Sequence, residues 1–364
     1  MKILALNCGS SSIKYRLFDN QKAVCSGLIE RIGERYDYGI QLMLNQLIKS
    51  KKIKSVSEIK AVGHRIVHGG NISKPCLIDK KIIKSIKKFS EFAPLHNFAS
   101  LKGISAMQKI LPKTPNIAVF DTAFHQSLPE KAFVYALPYE FYKKGIRRYG
   151  FHGISYQYVS QRASEILKKP LNKLKLIMCH LGAGCSITAL DKGKVIDTSM
   201  GFTPLEGLMM GTRTGDIDAG ILIYLSRKFR MNANELDDLL NKQSGLLGIS
   251  GKKDMRDVLR KKDKRGRLAI EMFTDRLKKY IAAYSALLGN VDAVIFTAGI
   301  GENSSSIRAL SANIPVLGMK IDEEKNKKSE TIISSESSKV KILVIPTDEE
   351  KMIAIETEKL IKQK

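Results

Sequence analysis

Apolar positions along the chain fall into short runs separated by longer stretches in which they recur every three or four residues. The run from Ile3 to Glu30, ILALNCGSSSIKYRLFDNQKAVCSGLIE, reads as a strand, a Gly-Ser turn, a second strand, a polar turn at Asp19-Asn20 and a third strand. Residues 174 to 200, LKLIMCHLGAGCSITALDKGKVIDTSM, repeat that plan with a glycine turn and an Asp191-Lys192-Gly193 turn. A strand-turn-strand block used twice, each time with small residues at the first turn, predicts two related α/β domains flanking a cleft. Short buried runs at Ala61 to Val67, Ile117 to Phe120, Ala293 to Ala298 and Val340 to Ile345 predict further strands. Helical spacing predicts helices at Leu101 to Leu111, Tyr156 to Leu167, Leu268 to Leu288 and Glu349 to Ile361. Alternation of the two kinds of element argues for sheets covered on both faces.

Composition narrows the class. A chain of 364 residues exceeds what one core comfortably organises, so two domains are expected. No apolar run reaches the ~18 residues that span a bilayer, and MKILALNCGSSS turns polar too soon for a signal peptide. The expectation is a cytoplasmic protein with no membrane partner. Five scattered cysteines without a CxxC fit packing in a reducing compartment better than disulfides or zinc. The net charge of +25 invites a nucleic-acid reading. The lysines are spread over the chain, however, and the densest run, Lys252 to Arg267, is not interleaved with aromatics as in single-strand binders. A solvated basic surface that favours anionic substrates is the better reading, with no nucleic-acid partner.

Three turns after strands carry small residues: Asn7 to Ser12 with Lys14 close behind, His180-Leu181-Gly182-Ala183-Gly184, and Gly299-Ile300-Gly301-Glu302-Asn303. Backbone N–H groups at such turns suit phosphate oxygens, and the third leads into a helix. None is a Walker A loop or a complete dinucleotide fingerprint. Phosphoryl transfer needs cations around the migrating group. Arg65 before a Gly-Gly turn, Arg147 and Arg148 beside His152, and Arg213 in a glycine-flanked loop offer them, with an ordinary ion pair as the alternative for each. His64 and His68 share an expected strand face, as metal ligands if their rings converge or as paired core residues otherwise. Asp121 ends a strand, and Glu349 opens a helix, where it serves a site, the helix dipole, or both.

These blocks together resemble the acetate kinase family. NCGSSSIK, GHRIVHGG, APLHN, VFDTAFH, RRYGFHG, DTSMGFTPLEGLMMGTRTGDID, SGLLGISG, FTAGIGEN and PTDEE occur in family order over nearly the whole chain. The resemblance implies two actin-like (ribonuclease H-like) α/β domains. One is formed by residues 1–121 completed by the C-terminal helix at 350–364, and the other, nucleotide-binding, by 122–349. It implies that Asn7 and Glu349 hold Mg2+ or Mn2+. Lys14, His180 to Gly184, Asp254, Met255, Arg256 and Gly299 to Asn303 contact ATP or ADP. Arg65 binds the carboxylate or incoming phosphate, and Val67, Leu95, Phe151 and Pro204 line the pocket for the acetate methyl. Asp121, His152 and Arg213 are the catalytic residues, and a homodimer is expected. The chain departs from the family pattern at Ala183, where Asn is usual, at Ile154, Tyr156 and Phe98, and in a shortened segment after Gly33.

The implied reaction is direct in-line transfer of the ATP γ-phosphoryl to acetate, giving acetyl phosphate. Acetate is already ionised at neutral pH, so the burden falls on positioning and charge neutralisation rather than on a general base. A propionate or other short-chain carboxylate kinase is the nearest alternative. A non-catalytic nucleotide-sensing protein is the alternative from another class, and the joint presence of Asn7, Arg65, Asp121, His152, Arg213 and Glu349 argues against it.

Overall fold

A computed structural model describes residues 1–363, with the backbone alone at residues 94–96. The chain divides into two units. The first comprises Met1–Gln126, Phe151–Tyr158 and Asp348–Lys364, and the second Ser127–Gly150 and Val159–Thr347. The first unit thus also takes in the segment around Phe151. The reason is local: the amide of Gly153 donates to the Asp121 carbonyl at 3.0 Å, tying the start of the helix Gly153–Ile166 to the end of a first-unit strand.

In the first unit, strands β1 (Lys2–Cys8), β2 (Ser12–Asp19) and β3 (Lys22–Glu30) form an antiparallel meander. Strand β4 (Ile59–Ile66) lies parallel to β1, and β6 (Asn116–Phe120) parallel to β4, with the short β5 (Cys76–Leu77) at the edge. The order is β3-β2-β1-β4-β6-β5. Period-two alternation sends Leu4, Leu6 and Cys8 into one core with residues of the helices Tyr36–Lys49 and Pro94–Ile110. Ile3 and Ala5 enter the opposite core with Ile154, Met352 and Ile353. Both faces are covered, which is why β1 reads as a nearly continuous apolar run. Full burial of each such side chain contributes about 1.5–3 kcal/mol.

The helix Glu349–Lys362 closes this second face. The Asp348 side chain caps it by accepting from the Lys351 amide at 3.0 Å and also receives Arg16 at 2.7 Å. A side chain at Gly63 on β4 would overlap Thr357 and Ile353, so glycine there lets the helix lie directly on the sheet.

The second unit repeats the plan. Strands β7 (Lys175–Leu181), β8 (Cys185–Asp191) and β9 (Lys194–Thr198) form the meander. Strands β10 (Ala293–Thr297) and β11 (Lys341–Val344) add in parallel, in the order β11-β10-β7-β8-β9. Read from the meander outward, and leaving aside the short edge strand β5, both sheets run through three meander strands in reverse order and then two parallel strands in chain order, the arrangement expected of an actin-like α/β domain. The duplicated blocks and the four further strands stand where the apolar pattern puts them, within one or two residues.

The pattern misjudges one segment. Gly299 to Asn303 is not a turn leading to a helix but part of a helix, Ala298–Asn303, that starts at the end of β10. Glu302 makes this possible by folding back to accept from the Ala298 amide at 2.7 Å, satisfying a donor that the helix start leaves free. A second helix, Ser305–Ala312, follows under a Ser304 cap.

Candidate active site

In the first unit the parallel strands end side by side, and their C-terminal ends deliver charged groups to one place. Arg65 is the penultimate residue of β4, and Asp121 follows directly on β6. The Asp121 amide donates to the Ile66 carbonyl at 2.9 Å, continuing the ladder one residue past the strand. Arg65 Nη2 and Nε donate to the Asp121 carboxylate at 2.8 and 3.3 Å, while Nη1 lies 2.9 Å from Glu349 Oε2. One guanidinium therefore bridges two carboxylates supplied by a strand end and a helix start.

Burial decides the electrostatics. Asp121 is 1% exposed. Desolvation pushes its carboxyl up, the Arg65 charge opposes this, and the Glu349 charge adds to it, leaving the group at about 6. Burial works against the Arg65 charge, but Asp121 and Glu349 outweigh it and raise the guanidinium pKa. The three N–H contacts on Asp121 hold the pair ionised at neutral pH.

The neighbouring loops are pinned by residues to which the motifs assign no role. The buried Asn97 side chain accepts from the His68 amide at 3.1 Å and donates to the His68 carbonyl at 2.9 Å. Thr122 Oγ1 accepts from the Gly69 amide at 3.1 Å, and Ser100 Oγ donates to the Arg65 carbonyl at 3.1 Å. Asn97 and Thr122 lie in the blocks APLHN and VFDTAFH and Ser100 in neither, and a backbone-holding amide or hydroxyl has no sequence mark until its partner is known. His152 adopts a left-handed φ of 58°, immediately before Gly153. A side chain at Gly153 would collide with the Asp121 carbonyl, which fixes glycine there and seats His152 beside the end of β6. Phe151 is buried, and His125 Nε2 lies 2.9 Å from its carbonyl.

His64 and His68 are not a metal pair. β4 ends at Ile66, so His68 lies beyond the strand face expected to carry both. His64 bonds Asn116 Oδ1 at 2.7 Å, and His68 stacks on Phe89 with ring centroids 5.1 Å apart. Burial depresses both rings, to about 4 and about 3, so both are neutral core residues. Lys14 also belongs to this unit, 2.6 Å from Glu350. Asn7, the next-to-last residue of β1, pairs in register with Lys14.

The second unit holds a cavity of about 880 Å³. Of the residues expected at nucleotide, Gly182, Ala183, Asp254, Met255, Arg256, Gly299, Ile300 and Asn303 line it. Gly211, Thr212, Lys253, Leu259 and Ser304 join them without having been singled out for that role. His180, Leu181, Gly184, Gly301 and Glu302 do not line it. His180 and Leu181 end β7, and Glu302 Oε1 accepts from the Ala298 and Thr347 amides. The small side chain of Ala183 leaves its backbone in use, since its carbonyl accepts from the Gly211 amide at 3.1 Å.

Arg213 differs in kind from Arg65. Its Nη1 donates to the Pro204 carbonyl at 3.2 Å. Among the described residues no carboxylate pairs with it, and burial pulls its pKa down, with Cys185 opposing. A partly buried cation without a counter-charge is costly to keep charged, and an anion beside it would offset that cost. Arg147 and Arg148 are instead occupied: Arg147 lies 3.7 Å over the Phe133 ring, and Arg148 pairs with Glu206 at 2.5 Å.

Of the four residues expected around an acyl methyl, Val67 lies one residue past the end of β4 and Phe151 belongs to the same unit, while Pro204 belongs to the second unit. The side chain of Leu95 lies outside the described residues. The family departures have local explanations. Ile154 joins the sheet core, Tyr156 packs edge-on against His125 with centroids 5.8 Å apart, and Phe98 is on the surface.

A sequence model of the acetokinase family matches residues 33–355. The chain is 48% identical to the acetate kinase of Carboxydothermus hydrogenoformans, an alignment covering 100% of both chains. The crystal structure of Porphyromonas gingivalis acetate kinase superposes with a TM-score of 0.93 at 41% identity, covering 99% of each chain. A propionate kinase from Francisella tularensis superposes with a TM-score of 0.93 at 43% identity, covering 98% of this chain and 99% of that one. Matches of this extent, on a fold whose Arg65 bridges one carboxylate at a strand end and another at a helix start, establish that the chain belongs to the acetokinase family.

Proposed function

We propose that this protein is an acetate kinase, transferring the γ-phosphoryl group of ATP reversibly to acetate to give acetyl phosphate and ADP. The observation that carries the chemistry is the contrast between the two arginines. Arg65 is locked by carboxylates and so offers a fixed donor array, whereas Arg213 lacks a counter-charge and is ready for a phosphoryl group. In this reading ATP occupies the second unit's cavity. Acetate places its methyl against Val67, Leu95, Phe151 and Pro204, and one carboxylate oxygen attacks the γ-phosphorus in line as ADP leaves. Arg65 orients the carboxylate, Asp121 orients Arg65, and His152 and Arg213 take up charge on the transferring group.

A divalent cation, Mg2+ or Mn2+, would be held by the Asn7 amide oxygen and the Glu349 carboxylate, both hard donors. Among the described residues no group of three or more His, Cys, Asp or Glu side chains is arranged to hold a metal. That suits a cation carried mainly by phosphate and water, with one or two protein oxygens. Its chemistry is neutralisation of phosphate charge.

A homodimer is the expected assembly, and the second unit offers a surface for it. The helix Ala219–Phe229 has no buried residue although it carries Ile221, Ile223, Tyr224 and Phe229, which are 43–62% exposed. Such a patch on an isolated subunit marks an interaction face. No helix is long and apolar enough to cross a membrane among the described residues, and a cytoplasmic location fits the reading.

Hydroxamate formation from acetate, ATP and magnesium tests the reaction, and a panel with propionate and butyrate tests the acyl group. Acetate should be preferred, with discrimination of about 10- to 200-fold per methylene at most. Val67→Ala should shift the kcat/KM ratio toward propionate, mainly through KM. Outright preference of the wild type for propionate, the chemistry named for the Francisella relative, would replace acetate as substrate while leaving the kinase intact.

Arg65→Ala and Arg213→Ala should each lower kcat/KM by about 10²-fold or more, the roughly 3 kcal/mol of one preorganised donor. Glu349→Ala should raise the metal concentration needed for half activity. Normal turnover in a folded arginine variant, or unchanged metal dependence, removes that residue from its role.

The raised carboxyl of Asp121 means that it takes up a proton at higher pH than an ordinary aspartate. As pH falls through about 6, the ionised form that anchors Arg65 is lost, so kcat/KM for acetate should fall there, well above the range where acetate itself protonates. Asp121→Asn should be slow and should lack this step. A wild-type profile flat down to pH 5 contradicts the assignment.

Sedimentation should find a dimer that Ile223→Glu with Tyr224→Glu converts to monomer. A double variant that stays dimeric moves the interface off this helix.

A further inference from the structure

The long helix Lys264–Leu288 spends two polar side chains on one loop. Arg276 Nη1 donates to the Thr214 carbonyl at 3.1 Å and the Asp216 carbonyl at 3.0 Å, and reaches the Gly207 carbonyl at 3.5 Å. One turn further on, the Tyr280 hydroxyl donates to Asp216 Oδ2 at 2.8 Å. The other oxygen of that carboxylate accepts from the Gly207 amide at 2.8 Å, and the Asp216 amide donates back to the Gly207 carbonyl at 2.9 Å. The segment 207–216 is thereby pinched shut at its base and fastened to two positions on one face of a long helix. Its far side is held by backbone bonds, from Ser244 to Thr212 at 3.0 Å and from Leu246 to Met210 at 2.9 Å. Arg213 rides on this loop.

Arg276 has no carboxylate partner among the described residues within ion-pair distance, so its charge is directed at carbonyl dipoles. All three carbonyls meet one nitrogen, Nη1, which the planar guanidinium holds at a fixed place between both ends of the loop. Nothing in a surface helix requires it, because ordinary loop backbone at the surface is satisfied by water.

We propose that Arg276, seconded by Tyr280 and Asp216, is a positioning residue for the phosphoryl transfer. It fixes the base of the 207–216 loop and so sets where the Arg213 guanidinium stands when charge develops on the transferring group. This rests on the role given above to Arg213. The effect belongs to the transition state, since displacement of a charge donor by even an ångström costs rate more than ground-state binding.

The experiment is a double-mutant cycle on steady-state kinetics, with thermal melting as the check of folding. Arg276→Met should lower kcat by about 10- to 100-fold, with KM for ATP and acetate moving by no more than about threefold. Arg276→Lys should recover part of the loss, since one ammonium reaches some but not all of the carbonyls. Tyr280→Phe should lose less, in the same direction. Combined with Arg213→Ala, Arg276→Met should cost nothing further, because the group it positions is gone. Wild-type kcat in Arg276→Met beside a slow Arg213→Ala overturns the positioning role alone. Losses that multiply in the double variant overturn it as well, by showing that Arg276 acts independently of Arg213. Normal turnover in Arg213→Ala overturns the role of Arg213 itself, and the proposal with it. If Arg276→Met does not fold, Arg276→Lys and Tyr280→Phe are judged by the same two criteria, a kcat loss at constant KM and its disappearance without Arg213.

Discussion

The bridge from Arg65 to Asp121 and Glu349 governs the first unit. An isolated charge in a nearly buried place is prohibitively expensive, and even a pair recovers its desolvation cost only when geometry is tightly held. That requirement reaches outward. β4 and β6 must end in register, the Asp121 backbone must continue the ladder, Gly153 must be small enough to approach its carbonyl, and the closing helix must start where Glu349 meets Nη1. Gly63 serves the same end by letting that helix rest on the sheet. Buried networks of this type are better understood as devices that fix geometry than as sources of net stability.

The second unit handles charge in the opposite way. The loop bearing Arg213 is fastened by backbone carbonyls, a carboxylate and two side chains from the helix Lys264–Leu288, while Arg213 itself pairs with no carboxylate among the described residues. Under the role proposed for Arg213, a fixed scaffold with an open charge is what a migrating phosphoryl needs, because donors must already be in place when charge develops.

Substitutions relative to family pattern fall where such demands are slack. Ala183 keeps its carbonyl bond to Gly211, Ile154 supplies apolar bulk to a core, Tyr156 packs edge-on to His125 and stacks on Phe124, and Phe98 faces solvent. None of the groups in the Arg65 bridge or the Arg213 loop is altered by them. The chain resembles an acetate kinase and a propionate kinase at nearly the same level, with 41% and 43% identity.

By itself the sequence determined the duplicated meander, the parallel strands that extend it and the blocks that carry charge, because period-two burial and small-residue turns are local and leave local marks. It also singled out Arg65, Asp121 and Glu349, though not that one guanidinium would join them across 284 residues of chain. Only the tertiary structure decided which cations are occupied: Arg148 by Glu206, Arg147 by an aromatic face, Arg65 by two carboxylates, and Arg213 by a backbone carbonyl with no carboxylate among the described residues. The same holds for Glu302, whose reach back to Ala298 turned an expected turn into helix, and for Asn97, Thr122 and Arg276, whose targets are backbone groups. A backbone amide or carbonyl is present at nearly every residue, so nothing in the order of side chains reveals which one will be held, and by what, until packing brings distant segments together.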